Sequence, residues 1–178
     1  KLRVQMREEI RRIQKELGVL ALYVTHDQEE AMSVSDRIGV FSLGNLMQVG
    51  TPEEIYRHPT SLFVADFIGK INFFPAEFVS GDDRGGRARL TSGVEVTTTR
   101  PERLSEDERL EFGVPGSAVV AVRPEHLSLA PAGGDGVPGR LRRVLFLGSV
   151  VRYFVQSDDA LREVMIETAN PTGDFHEG

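Results

Sequence analysis

His26 is the residue whose type and position best suit chemistry in this sequence. It follows an unbroken apolar run, Val19 to Val24, which predicts a strand buried on both faces of a parallel sheet. Asp27 comes next, and Glu30 lies three residues further on, in the acidic form of a capping box, so a helix is predicted to start there. His26 would then lie at the carboxyl end of a strand, where open α/β sheets bind their ligands.

A structural role for His26 is the competing interpretation. In that case the side chain only occupies a tight strand-to-helix turn and helps to cap the helix. The spacing of the residues alone does not decide between a ligand-binding histidine and a structural one.

Three blocks of sequence around His26 resemble the histidine-switch segment of ATP-binding cassette (ABC) ATPases, most of all the subunits that drive bacterial solute importers. The blocks are Tyr23-Val24-Thr25-His26-Asp27-Gln28, Glu30-Ala31-Met32 and Ser35-Asp36-Arg37-Ile38. In that family the histidine contacts the γ-phosphate of ATP and helps to hold the attacking water. The resemblance therefore implies that His26 is a catalytic residue.

A neutral imidazole suits that role, because one ring nitrogen can accept a hydrogen bond from water while the other donates to a phosphate oxygen. It would act by positioning and by electrostatic stabilisation, which dominate phosphoryl transfer.

Length and composition limit the other possibilities. The chain has 178 residues, no cysteine and a formal net charge of −6, and 40% of its residues are hydrophobic. This length suffices for one ordinary domain or two small ones. The lack of cysteine excludes disulfides and thiolate metal sites, and the acidic charge argues against nucleic acid as the main partner.

The first part of the chain, residues 1–69, has the pattern of an α/β domain. An apolar stripe predicts a helix over residues 1–17, ended by Gly18. Residues 37–43 and 46–49 predict a hairpin that turns at Gly44-Asn45. Thr51, Pro52 and Glu54 have the spacing of a helix start with a capping box, and a second helix is predicted from residue 61 to about residue 68.

Beyond Gly69 the helical periodicity ends, and short runs rich in β-branched residues alternate with turn signals. Such spacing suggests a small closed or half-closed barrel. The predicted strands cover residues 71–80, 87–90, 94–98, 117–122, 139–146, 150–156 and 163–168.

Two motifs in this second part resemble the regulatory C-terminal domain of importer ATPases, called TOBE, which is an OB-like barrel. They are Val122-Arg123-Pro124-Glu125-His126-Leu127 and Phe146-Leu147-Gly148-Ser149. We favour a structural ion pair of Arg123 with Glu125 over a ligand-binding role for these side chains.

The resemblance thus implies an α/β fragment of a P-loop NTPase, the end of an ABC ATPase domain, over residues 1–69. It starts just after the Walker B and D-loop region, so we expect sequence upstream of Lys1. A TOBE-type OB-like β-barrel would follow over residues 70–178.

Several family motifs do not occur in the 178 residues. There is no G-x-x-x-x-G-K-[ST] segment, no signature loop of the Leu-Ser-Gly-Gly type and no apolar strand ending in an acidic pair. We therefore predict that this polypeptide alone neither binds ATP tightly nor hydrolyses it, and that ATP and Mg²⁺ bind to the full-length protein. The four histidines lie in different predicted elements, so no metal site is predicted.

The family also implies partners and a location. The subunit would work as a homodimer, bind two transmembrane permease subunits and receive solute indirectly from a solute-binding protein, at the cytoplasmic face of the bacterial inner membrane. The end of the barrel, around Gly148 and Tyr153, is more similar to polyamine or iron importers than to sugar importers.

Two alternatives of other classes remain open. A stand-alone regulatory barrel that binds an oxyanion or small solute would need basic and polar groups converging from several loops. A nucleic-acid-binding barrel would need a basic groove with exposed aromatic side chains, which the net charge of −6 disfavours.

Overall fold

The computed structural model describes residues 2–82, 85–98, 108, 110, 112–114 and 118–169, with side chains from residue 5 onward at the amino end. The chain divides into two compact units, Lys1–Gly69 and Lys70–Gly178. No helix of the described residues is long and apolar enough to cross a membrane. The residues 170–178, at the predicted end of the barrel, lie outside the described part of the chain.

The first unit contains four helices and one hairpin among the described residues. They are α1 (Leu2–Leu17), α2 (Gln28–Val34), β1 (Ile38–Ser42), β2 (Asn45–Gly50), α3 (Pro52–Arg57) and α4 (Leu62–Phe67). The core consists of Ile38, Val40, Ile55, Val64 and Ile68, against which Ala31 and Met32 of α2 are packed. This contact fixes α2, the helix that follows His26, on the core of the unit.

The predicted strand over Val19 to Val24 is wrong for this chain. The segment is extended but belongs to no sheet, and Leu20, Leu22 and Val24 are 98%, 89% and 87% exposed. A strand buried on both faces needs neighbouring strands and covering helices. In the described part of the first unit, β1 and β2 pair only with each other, so no strand lies beside this segment.

The hairpin forms as predicted, but its turn is one residue earlier. Ser42 pairs with Asn45, so Leu43 and Gly44 form a two-residue loop. Both have positive φ, 47° and 82°, as in the type I′ turns that match the twist of a hairpin. The prediction missed this turn because leucine seldom adopts a left-handed backbone.

The helix starts follow the sequence signals. At α3 the Thr51 hydroxyl accepts from the Glu54 amide and the Glu54 carboxylate accepts from the Thr51 amide, so the predicted capping box is confirmed. Ser61 caps α4 in the same position. Gly18 has a φ of 60°, which confirms a left-handed residue after α1.

The second unit is built mostly from β-strands, in two antiparallel sheets. The strands are β3 (Asn72–Asp82), β4 (Gly85–Leu90), β5 (Glu95–Thr98), β6 (Ala118–Val122), β7 (Arg140–Phe146), β8 (Val150–Gln156) and β9 (Val164–Ala169). The sheet orders are β5-β4-β3-β6 and β7-β8-β9. All seven strands correspond to strands predicted from the sequence.

One core is shared by both sheets of this unit. Phe74 and Leu90 come from the first sheet, and Val151, Tyr153 and Ile166 from the second. Two sheets around one core fit an OB-like β domain, in which strands curl around a packed interior.

Asn72 joins the two sheets through its buried side chain. Its Nδ2 donates to the carbonyls of Val122 at 3.3 Å and Met165 at 2.8 Å, and its Oδ1 accepts from the Met165 amide at 2.8 Å. One amide side chain thus satisfies backbone groups of β6 and β9, which belong to different sheets.

The Arg123 motif forms the short 3₁₀ helix Pro124–His126 after β6. Arg123 is buried, and its Nη1 donates to the Lys70 carbonyl at 3.1 Å. This contact ties the motif to the first residue of the unit and gives Arg123 a structural role. The ion pair with Glu125 stays a prediction.

Candidate functional site

His26 lies at a bend between the extended segment and α2, with its side chain exposed to solvent. The sequence predicts that His26 follows the end of a sheet strand. In the structure it follows a segment that pairs with no strand. Asp27 is the N-cap of α2, and its Oδ1 accepts from the Glu30 amide at 3.0 Å. The predicted helix start is confirmed, and it is Asp27 that caps the helix.

The Glu30 side chain does not complete a capping box. Its two oxygens instead accept hydrogen bonds from three other side chains. Oε1 accepts from Arg7 Nη2 at 2.8 Å, and Oε2 accepts from the Tyr23 hydroxyl and the Thr25 hydroxyl, both at 3.0 Å. Glu30 is therefore the centre of a polar cluster beside His26.

Thr25 continues this cluster into the backbone. Its Oγ1 donates to Glu30 and accepts from the Asp27 amide at 3.0 Å. The residue before His26 is thus bonded to the residue after it, and both are connected to α2. The backbone on each side of His26 is held by hydrogen bonds, while its side chain is left exposed.

Helix α1 supplies cations to both ends of α2. Arg7 contacts Asp27 at 3.6 Å in addition to Glu30. At the other end of α2, Arg11 donates to the Val34 carbonyl at 2.6 Å and pairs with Asp36 at 3.2 Å. Arg7 and Glu30 are each 17% exposed, so their ion pair is less screened by water than a pair on the open surface.

These contacts shift the protonation equilibria of the cluster. The hydrogen bond from Arg7, followed by those from Thr25 and Tyr23, lowers the pKa of Glu30. The same carboxylate raises the pKa of Tyr23 and of Arg7. Glu30 is therefore ionised at neutral pH, as an acceptor of three hydrogen bonds must be.

The arrangement leaves the imidazole of His26 available. Within the described part of the chain, no hydrogen bond or ion pair engages the ring. Both ring nitrogens can therefore contact a group that comes from outside this unit. A neutral imidazole in that situation offers one acceptor and one donor.

Arg7, Tyr23 and Glu30 were missed as parts of the site. The helical pattern of residues 1–17 does not reveal the contact of Arg7, because it bonds to a residue 23 positions away. The available signal was the alternation of Tyr23 and Thr25, because an extended backbone places residues two apart on one side. On the same helix, Arg12 contacts Glu9 and Glu16.

The other histidines lie apart from this cluster. His58 is the C-cap residue of α3, and His126 ends the 3₁₀ helix of the second unit. Among the residues that the structure describes, no three His, Cys, Asp or Glu side chains are grouped as a metal ion would require.

A cleft of about 470 Å³ lies in the second unit, where the alternative of a ligand-binding barrel would place its ligand. Its lining includes Arg140, Arg142, Asp158 and Asp159. Arg142 donates to Gln156 at 2.8 Å, and Asp159 is buried with one oxygen accepting from the Ser92 amide at 2.6 Å. The two carboxylates offset the two arginines, so this lining has no excess positive charge that would attract an oxyanion.

Several known proteins are similar to this chain over most of its length. A family model described as TOBE domain matches residues 120–178. The chain is 39% identical to the spermidine/putrescine import ATP-binding protein PotA of Ruegeria pomeroyi over 171 residues, 96% of this chain and 44% of that protein. It is 41% identical to the Fe(3+) ions import ATP-binding protein FbpC of Agrobacterium fabrum over 160 residues, 89% of this chain and 42% of that protein.

A third relative, the PotA protein of Mesorhizobium japonicum, is 42% identical over 159 residues, 89% of this chain and 41% of its own length. The chain thus spans less than half the length of each of these relatives. The chain is therefore similar to ATP-binding subunits of ABC importers over most of its own length, as a C-terminal fragment of such a subunit would be, and it matches the TOBE domain over residues 120–178.

Proposed function

We propose that this chain is part of an ATP-binding subunit that couples ATP hydrolysis to the import of a solute. In this proposal, residues 1–69 are the C-terminal piece of the ATPase domain, a P-loop NTPase, and residues 70–178 are the TOBE domain. The observation that carries it is the exposed imidazole of His26, with hydrogen-bonded backbone on both sides, in a chain whose relatives are named import ATP-binding proteins.

In the complete subunit, His26 would contact the γ-phosphate of ATP and help to hold the attacking water. The ring can do both, because neutral imidazole has one donor and one acceptor nitrogen. Phosphoryl transfer needs little covalent participation from the protein, so the placement of this ring is its contribution to catalysis.

Mg²⁺ is implied by the family, but it does not fit the described carboxylates around His26. The ion prefers six oxygen ligands in octahedral geometry, usually including one or two carboxylates and phosphate oxygens. Asp27 and Glu30, the carboxylates of the polar cluster beside His26, are bonded to Arg7 and to other donors. We therefore derive no step in which this chain holds the ion.

The partners follow from the same proposal. The subunit works as a homodimer at the cytoplasmic face of the bacterial inner membrane, bound to transmembrane permease subunits and served by a solute-binding protein. Relatives of similar identity are named for spermidine/putrescine and for Fe(3+) import. We infer that solute choice lies with the permease and the binding protein, and not with this part of the subunit.

The test replaces His26 by alanine in the complete ATP-binding subunit. We expect ATP turnover to fall by about 100-fold or more, as when one transition-state contact is removed, while ATP binding changes by no more than a few-fold. His58→Ala is the matched control, since His58 is also an exposed histidine beside a short helix. Turnover at the wild-type rate in His26→Ala would refute the catalytic role.

A further inference from the structure

We propose that Glu30 is the residue that positions His26. One of its carboxylate oxygens binds α1, and the other binds Tyr23 and Thr25 of the histidine segment, by which we mean residues 23–27. This inference rests on the proposed catalytic role of His26. It adds a positioning residue with three side-chain partners from two separate places along the chain.

The two oxygens of Glu30 have different partners. Oε1 accepts from Arg7 of α1. Oε2 accepts from Tyr23 of the extended segment and from Thr25, which directly follows that segment. Glu30 itself belongs to α2, which is packed on the core through Ala31 and Met32. The carboxylate therefore connects a helix fixed on the core with α1 and with the segment that leads into His26.

The connection reaches the backbone next to His26 through Thr25. A hydroxyl has one proton, and the Thr25 hydroxyl donates it to Glu30 Oε2. A lone pair of the hydroxyl oxygen is thereby directed to the Asp27 amide, from which it accepts a hydrogen bond at 3.0 Å. If the carboxylate is lost, the hydroxyl is free to rotate and the bond across His26 is weakened.

Apart from the bonds to Glu30 and a hydrogen bond that Gln14 Nε2 donates to the Val19 carbonyl at 2.9 Å, no other hydrogen bond orders the extended segment within the described structure. It is in no sheet, and its apolar side chains are exposed. Hydrogen bonds of Tyr23 and Thr25 to Glu30 thus replace the strand pairing that would otherwise hold the residues before His26. A glutamine at position 30 has one acceptor oxygen and a donor amide, so it cannot accept from all three donors.

The first experiment measures amide hydrogen exchange in the 178-residue chain. In Glu30→Gln, we expect the Asp27 amide to exchange about 10-fold faster, because one amide oxygen cannot accept from Arg7 and from Tyr23 and Thr25 together, so Thr25 is held less firmly. The Glu30 amide, which bonds to the Asp27 carboxylate, should keep its protection, because that bond uses only the backbone of residue 30. Glu29→Gln is the matched control, since Glu29 is the exposed neighbour, and it should leave both amides unchanged.

A second variant covers the case in which Glu30→Gln unfolds α2. Thr25→Val keeps the shape of the side chain and removes the hydroxyl, so it should also speed exchange at Asp27 by about 10-fold. Unchanged exchange at Asp27 in either folded variant would overturn the proposal.

The second experiment measures steady-state ATP hydrolysis by the complete subunit. We expect Glu30→Gln to lower kcat about 10-fold with KM for ATP changed less than two-fold, because misplacement of a positioned group affects the reaction more than binding. Glu29→Gln should match the wild type.

The two proposals fail in different ways. Wild-type turnover in His26→Ala would refute the catalytic role of His26 itself. An inactive His26→Ala together with a fully active Glu30→Gln would leave that role intact and refute only the positioning by Glu30.

Discussion

Glu30 shows what one residue can determine in this molecule. Its backbone amide closes the start of α2 on Asp27, while its side chain bonds to Arg7, Tyr23 and Thr25. From the sequence, the first function followed from the three-residue spacing of a capping box. The second could not be predicted, because it depends on α1 lying beside α2, a tertiary contact that no local pattern encodes.

The protonation of Glu30 should control the order of the histidine segment. Arg7 above all lowers the pKa of Glu30 below its ordinary value of 4.5. Because the pKa of Glu30 is lower in the folded state, the cluster contributes its full stability at pH values above the ordinary pKa. That stability is lost as the pH falls through the pKa of the folded state. We expect the side-chain NMR titration of Glu30 to have its midpoint below 4.5.

Arg7→Met provides the control for this titration. Removing the cation should move the midpoint of Glu30 upward, toward its ordinary value. A midpoint that is the same in both proteins would show that the Arg7 contact does not form in solution.

At the scale of elements, local signals predicted helices and hairpins well. Thr51 and Ser61 cap their helices as their positions indicated, and the strand over residues 150–156 has the predicted bounds. The segment from Val19 to Val24 is the exception. Its apolar run indicates a preference for the interior of a sheet, but a strand forms only where a second strand supplies hydrogen-bond partners.

We expect asparagine in place of Leu43 to stabilise the turn of the β1–β2 hairpin. Leu43 holds a φ of 47° and is 100% exposed, and a left-handed backbone costs such a residue about 1–2 kcal/mol. Leu43→Asn creates the Asn-Gly pair that type I′ turns prefer. We expect the free energy of unfolding of the hairpin, measured by amide exchange at β1 and β2, to rise by about 1 kcal/mol.

Leu43→Ala separates backbone strain from loss of an exposed apolar side chain. Alanine keeps the left-handed cost, so its effect should stay within about 0.5 kcal/mol. An equal gain from both substitutions would mean that the turn conformation is not the source of the effect.

At the scale of the whole chain, two units of different character follow one another, and the change at Gly69 was visible in composition. The number of strands in the second unit was predictable from turn spacing. The contact that joins its two sheets was not, because Asn72 and Met165 are 93 residues apart. The sequence shows only a polar asparagine beside the aromatic residues of a predicted strand, and its burial became known from the structure.

Replacing Asn72 should destabilise the second unit. Asn72→Leu keeps the approximate volume but leaves the Met165 amide and two carbonyls without their partner. We expect the free energy of unfolding in urea to fall by at least about 2 kcal/mol, because unsatisfied buried groups cost about 1–3 kcal/mol. Thr97→Ala, at an exposed position of β5, should change it by less than about 0.5 kcal/mol. Equal stability of the two variants would contradict the bridging role.

The exposed apolar surface of the first unit should make the chain self-associate. Met6, Ile10, Ile13 and Leu17 form one exposed face of α1, and Leu20 and Leu22 extend from the next segment. Surfaces of this kind usually bind other protein surfaces. We expect sedimentation velocity to show association that rises with concentration, and the double variant Leu20→Ser with Leu22→Ser to reduce it. A monomer at all concentrations would contradict this expectation.

Under the catalytic role that we propose for His26, the hydrogen bond that the Asp27 amide donates to Thr25 has a kinetic consequence. A loop that must be arranged anew at each encounter loses part of its interaction energy to the entropy of ordering. Here the main chain on either side of the imidazole is set before any nucleotide arrives. A subunit built in this way can begin each turnover with its histidine already in place, so that the timing of the cycle is left to the motions of its larger parts.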